Sequence, residues 1–570
     1  MNTRLQHLPA DVFGLSDVAR AALAAGKDFG PLPVPTNVKD IARPAEFLGV
    51  DERRVLVDSI DRGLDAAGVR LPVAARDGLE ALRQEGVTCV ITGQQPGFLC
   101  SPLYSLYKAL QACRAARELS ERWGTPVVPI FWNHADDHDI AEVHHAWQIN
   151  LNLDLQKITL PGLSSGRTPV GEIAIDGEAQ SLDALRAQLR GVFGKPDGDA
   201  DVTDALDLFF PRDGESLSRA LTRAFTELCG PYGLVVCEPD WIRPLLSSEL
   251  GRIVSSGAHD ATLVDALRAG EAELAALGLQ AAIPVGDADA GDAPAAALVY
   301  RHDRATEGAA SVRVALRAGG EGFRLDGEQG SRTPAELGSL IVDAPRDWSA
   351  GAIVRPLVQD AVFPTCAYIG GFGELGYHAQ LGPARDALGQ ARTPFLPRVS
   401  LTLVDNETRL SLQRIEADLE TVMRATGSFR PVETETEEPA VVQALRGVGE
   451  DARAALLEHR SELAKLEPAL AITLKKTAQH VQHSIGKVID KALRVHKNST
   501  GKGARHIRRA NSMLVPRDTP QERVLGPFAF IARFGRDFMD ALWSEMPSAS
   551  TEHLVLHLEP DARPDEGDDS

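Results

Sequence analysis

The run Val87-Thr88-Cys89-Val90-Ile91-Thr92 is apolar and rich in β-branched residues, which reads as a buried strand. It ends in Gly93-Gln94-Gln95-Pro96-Gly97, a segment that can continue neither a strand nor a helix. From Pro102, suited to a first helical turn, to Trp123 the apolar positions Leu103, Leu106, Tyr107 and Leu110 recur at helical spacing. Pro126-Val127-Val128-Pro129-Ile130-Phe131-Trp132 then reads as a second buried strand. Strand, glycine turn, helix and strand within 46 residues form a βαβ unit, so these strands must be parallel. This constrains the chain more than any other feature: it predicts an α/β fold around a parallel sheet.

The rest of the chain is assigned around that unit. Residues 1–85 read as helical, with a loop at Pro31–Pro35, and 1–150 is the first part of the core. Residues 151–350 carry core strands, such as Gly233–Cys237, with connecting insertions. The insertions include a Gly286–Pro294 loop and short antiparallel strands over Ala295–Leu325. The core resumes over 351–406 with a strand at Thr365–Ile369 and a second glycine turn, Gly370-Gly371-Phe372-Gly373, leading into a helix at Glu374. Residues 407–515 are helical. Leu456, Leu463 and Leu470 recur every seven positions, as do Leu474, Val481, Val488 and Val495, with Ala478, Ile485 and Ala492 interleaved. Two seams joined by a stutter predict a coiled-coil arm, with a helical bundle packed on the core as the alternative. Pro468 is expected to break or kink it. Residues 516–558 form a return segment, and 559–570 an acidic, disordered tail.

Sixty basic and eighty acidic residues give a net charge of -20, which argues against a nucleic-acid partner. No run of about 18 apolar residues is present, so no membrane span is expected, and no signal peptide is read at the N-terminus. Six scattered cysteines without a C-x-x-C pair make no disulfide framework, so the expected location is the cytoplasm. Against the acidic background, residues 475–510 hold ten Lys and Arg and one acid, Asp490. This segment is either an anion or nucleotide pocket or a complement to the acidic body. No aromatic residues interleave with its cations, which speaks against nucleic acid.

In open parallel sheets ligands bind beyond the strand carboxyl ends. Three polar clusters stand there. The first is Gly93-Gln94-Gln95 with Tyr104 and Lys108, where close backbone approach and a helix N-terminus favour an anionic group. The second is Asn133-His134-Ala135-Asp136-Asp137-His138-Asp139 with Glu142, dense enough in carboxylates and imidazoles for proton transfer or metal binding. A helix cap with solvated neighbours is the plain alternative. The third is Tyr368 with Gly370, Gly371 and Glu374.

Taken together and in order, several motifs resemble the cysteine ligase family of bacillithiol biosynthesis (BshC). They are Ile91–Gly97, Pro102-Leu103-Tyr104 with Tyr107-Lys108, Phe131-Trp132 with Asp137-His138-Asp139, Tyr368–Gly371 with Gly373-Glu374, Pro397-Arg398, Leu514-Val515-Pro516 and Gln521-Glu522-Arg523. The resemblance covers essentially the whole chain. It implies a Rossmann-like core with connecting insertions and a coiled-coil dimerisation domain. The implied reaction adds L-cysteine to glucosaminyl-malate as an amide on the sugar amine. In that setting Asp137, His138 and Lys108 are the expected catalytic residues. Gly93, Gln94, Gln95, Tyr104, Asp139, Glu142, Tyr368, Gly370, Gly371 and Glu374 are the expected substrate contacts, and no metal is expected. The family also implies an adenine nucleotide, ADP or ATP, away from the main crevice. Gly501-Lys502-Gly503, read as a break in the helix, places it at Lys502 and Arg505. The chain departs from the family at Cys100-Ser101, Ala135-Asp136, Phe372 and His144. Two rival readings are a zinc-dependent amidase or deacetylase, from His134-Ala135-Asp136-Asp137, and a non-catalytic coiled-coil scaffold.

Overall fold

The computed structural model describes residues 2–559, apart from 45–47, 164–165, 194–199, 256–261, 287–295, 307–308, 320–321, 329, 426–428 and 430–439. Side chains 200, 440, 468–469, 490–502 and 559 are also left undescribed. The Lys502 side chain, the Gly286–Pro294 loop from 287 on and the acidic tail beyond 559 thus lie outside the described residues.

Fourteen strands are described: β1 (Asn2–Leu8), β2 (Thr88–Gln94), β3 (Val127–Asn133), β4 (His145–Ile149), β5 (Leu155–Thr159), β6 (Val235–Cys237), β7 (Val299–Arg304), β8 (Ser311–Gly319), β9 (Gly322–Leu325), β10 (Trp348–Ala350), β11 (Thr365–Gly370), β12 (Phe395–Pro397), β13 (Ser400–Asp405) and β14 (His553–Glu559). Five of them form a parallel sheet in the order β12-β11-β2-β3-β6. β2 and β3 are buried almost throughout, which is why they read as continuous apolar runs rather than alternating ones. The Tyr104–Trp123 helix crosses between them and stops at Gly124, whose left-handed backbone caps it. Apolar cores cover both sheet faces: Val90, Ala112, Ala116, Leu119 and Ile369 on one, Ile91, Ile130, Val235 and Leu357 on the other. The sheet carries a Rossmann-like, mixed α/β architecture, as its parallel order requires.

Smaller sheets surround it. β4 and β5 make a hairpin, and β10-β7-β8-β9 form an antiparallel sheet within the insertion. The N-terminal reading needs correction, because residues 2–8 are not helical. β1 pairs antiparallel with β14, which also lies parallel to β13. The return segment is fastened beside this sheet by Gln521, whose amide bonds both the N–H and the C=O of Leu403, and by Glu522, which accepts from Leu401 N and pairs with Arg398 at 2.6 Å. All six cysteines are free and buried.

The chain divides into two compact units, Met1–Asp405 with Thr519–Ser570, and Asn406–Asp518. The second is helical. Its Ala440–Glu458 and Pro468–Leu514 helices lie against each other, Gly449 facing Ile485, and Ala471, Ala478 and Ile489 of the long helix are buried. The seven-residue pattern is broken where expected: the Arg460–Leu466 helix ends before Glu467, which is extended, and Pro468 starts the long helix, where its missing N–H costs nothing. The Ala478/Ile485 seam is filled from within the same chain, while Val488 turns outward, 55% exposed.

Candidate active-site crevice

The two glycine turns stand side by side, because β2 and β11 are neighbours in the sheet. At Gly93 a side chain would collide with the Trp132 carbonyl, so only glycine lets β2 and β3 close at this point. Lys108 joins the turns from below. It is 1% exposed, and its ammonium donates to Gly93 O (2.9 Å), to Gln94 Oε1 (3.2 Å) and to Glu374. Glu374 also accepts from the Tyr368 hydroxyl and the Gly371 N–H, both at 2.8 Å. Burial works against the Glu374 charge, but Lys108 holds the carboxyl below its ordinary value. All three Lys108 donors are therefore used inside the protein. In this arrangement Lys108, expected from the resemblance to be catalytic, pins the two turns together.

The β3 turn supplies the opposite side. Asp136 is gripped by both terminal nitrogens of Arg243. Burial would raise its carboxyl, yet Arg243 holds it low. With both oxygens engaged, Asp136 is not arranged as a metal ligand, and among the described residues no three His, Cys, Asp or Glu side chains gather as a metal site. Asp137 accepts from Gln95 and from the His138 N–H. Glu142 lies nearby, and burial first, then Asp139 and Asp137, push its carboxyl up. Tyr104 lies under the Arg398 guanidinium, 4.8 Å from the ring centre, and burial pushes its phenol up to about 12. The crevice thus brings together Gln94, Gln95, Tyr104, Lys108, Tyr368, Gly370, Gly371 and Glu374 around the two turns, with Asp137, His138, Asp139 and Glu142 on its β3 side.

Beside Asp137 opens a cavity of about 160 Å³. Its walls include Trp132, His134, Tyr300, Arg313, Arg355 and Tyr377. Arg313, from β8, lies flat over the Tyr300 ring at 3.6 Å and bonds His138 Nδ1 at 3.2 Å. Arg355 donates to Gln359 and to the Tyr377 hydroxyl. Neither arginine is in ion-pair contact with a carboxylate among the described residues. Arg313 Nε and His134 Nε2 are buried without hydrogen-bond partners among the described residues. Such groups are costly unless something answers them. Sequence reading missed Arg243, Arg313 and Arg355, because single arginines far along the chain carry no local signature.

The arm residues belong to the second unit. The Pro468–Leu514 helix runs unbroken through Gly501-Lys502-Gly503. Its backbone amides there are engaged in the helix, so the expected phosphate-cradling turn is absent. Arg505 is exposed, beside His506, which Arg414 approaches at 3.3 Å.

A parallel Rossmann-like sheet with a crevice at its strand ends and a coiled-coil helical unit defines the class of this protein. The model of the bacillithiol biosynthesis BshC N-terminal Rossmann-like domain matches residues 38–399, and that of the BshC C-terminal coiled-coil domain matches residues 401–558. The chain belongs to the BshC family of bacillithiol biosynthesis. Among its relatives is a protein of Koribacter versatilis, 27% identical over 486 residues, spanning 84% of this chain and 85% of that protein. Another, from Geobacillus thermodenitrificans, is 26% identical over 571 residues, 98% of this chain and all of its own length. Both bear the name "Putative cysteine ligase BshC".

Proposed function

We propose that the protein is a cysteine ligase that joins L-cysteine to glucosaminyl-malate, forming an amide on the sugar amine in the last step of bacillithiol assembly. Family membership supports the class. The observation that carries the reading is the polarity of the crevice: Arg313, buried, and Arg355, part-buried, neither ion-paired with a carboxylate among the described residues, line a cavity that Asp137 also lines, and Asp139 and Glu142 neighbour Asp137. A ligase acting on a carboxylate-bearing sugar and an amino acid needs both signs within one crevice. Arg313 and Arg355 take a substrate carboxylate, with charge-assisted hydrogen bonds. Asp137 and Glu142 hold an ammonium group and receive the proton that the sugar amine releases as its nitrogen attacks the acyl carbon of a cysteine carboxylate activated as an acyl phosphate or acyl adenylate, whose phosphate or AMP leaves with the former carboxylate oxygen as the C–N bond forms. The Lys108–Glu374 pair keeps the walls in register, with Gln94, Gln95 and Tyr104 lining the floor.

The location that fits this reading is the cytoplasm, where six free cysteines stay reduced. No described helix is long and apolar enough to cross a membrane. A homodimer is supported by Val441, Val448 and Val488, apolar and exposed on the arm. An adenine nucleotide at the arm would meet the side chains of Arg505 and Arg414, because the backbone there is helical.

The test is product analysis by mass spectrometry, with purified protein, L-cysteine and glucosaminyl-malate, with and without ATP. It is paired with thiol profiling of a deletion strain, in which glucosaminyl-malate should accumulate. Arg355→Met should raise KM for the carboxylate substrate by about 10²-fold, the worth of one charged hydrogen-bonding group. A deletion strain with an unchanged thiol pool and no accumulated precursor would refute the assignment.

A further inference from the structure

His138 stands where a general base is expected, next to Asp137 at the end of β3. Its hydrogen bonding points elsewhere. Nδ1 lies 3.2 Å from Arg313 Nη1. A guanidinium has donors only, so Nδ1 must be the acceptor, and the ring proton of the neutral imidazole sits on Nε2. The nearest carboxylate oxygen, Asp137 Oδ1, is 3.8 Å from Nδ1 and too far to compete for it. Arg313 cannot withdraw easily. It is 5% exposed, stacked on Tyr300 at 3.6 Å, and its Nη2 lies 3.4 Å from Ser349 Oγ. Ser349 is fixed in turn by His302 Nε2 at 2.8 Å. The His138 main chain is also anchored, its N–H on Asp137 Oδ1 at 2.6 Å.

The one lone pair of the neutral ring is therefore committed to Arg313. Nε2–H makes no hydrogen bond among the described residues, on a side chain 29% exposed. We infer that His138 serves the reaction as a neutral hydrogen-bond donor through Nε2–H, aimed at the oxygen that gains negative charge during acyl transfer, and that Arg313 is the positioning residue that fixes this tautomer. The inference rests on the ligase reading for the reaction, and on geometry alone for the tautomer. Burial and Arg313 both push the imidazolium down, in keeping with a ring that stays neutral. The proton leaving the amine then goes to a carboxylate, Asp137 or Glu142, and not to the imidazole.

Two arms test this separately. In the first, His138→Gln keeps an amide N–H donor but cannot act as a base, whereas His138→Ala keeps neither. Turnover of His138→Gln should stay within about tenfold of the unaltered protein, and His138→Ala should lose about 10²- to 10³-fold, as for loss of an oxyanion donor. Equal loss in both variants would overturn the donor role. In the second arm, protein labelled with ¹⁵N in its imidazoles is observed without substrate near neutral pH, the His138 signals being assigned by their loss in His138→Gln. A bare Nδ1 and a protonated Nε2 are expected, becoming a tautomer mixture in Arg313→Met. A protonated Nδ1, or an Arg313→Met spectrum unchanged at His138, would overturn the positioning role. Absence of any turnover in the unaltered protein would overturn the ligase reading, while the spectrum still decides the tautomer.

Discussion

Replacing Lys108 by methionine keeps the aliphatic stem and removes only the ammonium. Three hydrogen bonds go with it: to Gly93 O, Gln94 Oε1 and Glu374. Glu374 then keeps the Tyr368 hydroxyl and the Gly371 N–H, but as a part-buried carboxylate that has lost its ion-pair partner. Breaking a buried pair on one side costs about 3–5 kcal/mol. That is a large share of the roughly 5–15 kcal/mol by which domains are ordinarily stable. Adding Glu374→Gln removes the stranded charge while leaving an amide oxygen for Tyr368 and Gly371. The double variant should then be more stable than Lys108→Met alone. The assay is urea unfolding near neutral pH, followed by circular dichroism, for the four members of the cycle. A coupling energy of at least about 2 kcal/mol is expected, at the upper end for residues in direct contact. A Lys108→Met loss under about 1 kcal/mol, or strict additivity, would show that the pair does not hold the turns.

Acid should unfold this protein through its buried histidines. His302 is pushed down to about 3 and His553 to about 4 by burial, and His378 well below its usual value for the same reason. Each binds a proton in the unfolded chain near 6.5 but not in the folded one, so stability is full above that pH and falls as pH drops towards the folded values. Between pH 7.5 and 5.5 each removes about 1.4 kcal/mol, or about 4 kcal/mol for the three, read as a lower urea midpoint; a midpoint constant over this range would contradict it. A thiol reagent should find no reactive cysteine in the native protein and all six after denaturation; rapid native labelling would mean that a buried strand opens. Val448→Asp with Val488→Asp should yield monomers by light scattering, since both valines are exposed on the arm; an unchanged dimer would place the interface elsewhere.

What could be read from the sequence was what neighbours in the chain decide. β2, its turn, the crossover helix and β3 are contiguous, so their apolar pattern alone implied a parallel pair. β1 was misread because its partner, β14, begins at His553 and no local period announces it. Gly501 and Gly503 looked like a break, yet each glycine costs a helix only about 1 kcal/mol, which a 47-residue helix absorbs. In the crevice, Gln94, Gln95, Asp137 and Glu374 were visible as turns at strand ends. The meaning of Lys108 and His138 was not, because it lies in Glu374, 266 residues on, and in Arg313, 175 residues on.

The burial of all six sulfur atoms has a consequence for a protein of thiol biosynthesis. Burial pushes Cys89 and Cys229 well above the ordinary thiol range and raises the others too, so almost none of the sulfur is thiolate at physiological pH. Exchange with a disulfide requires a thiolate that a partner can reach. The folded protein is thus chemically silent towards low-molecular-weight thiols and their oxidised forms. It can stand in a pool of such molecules without forming mixed disulfides, and its six buried thiols stay reduced when oxidants consume that pool.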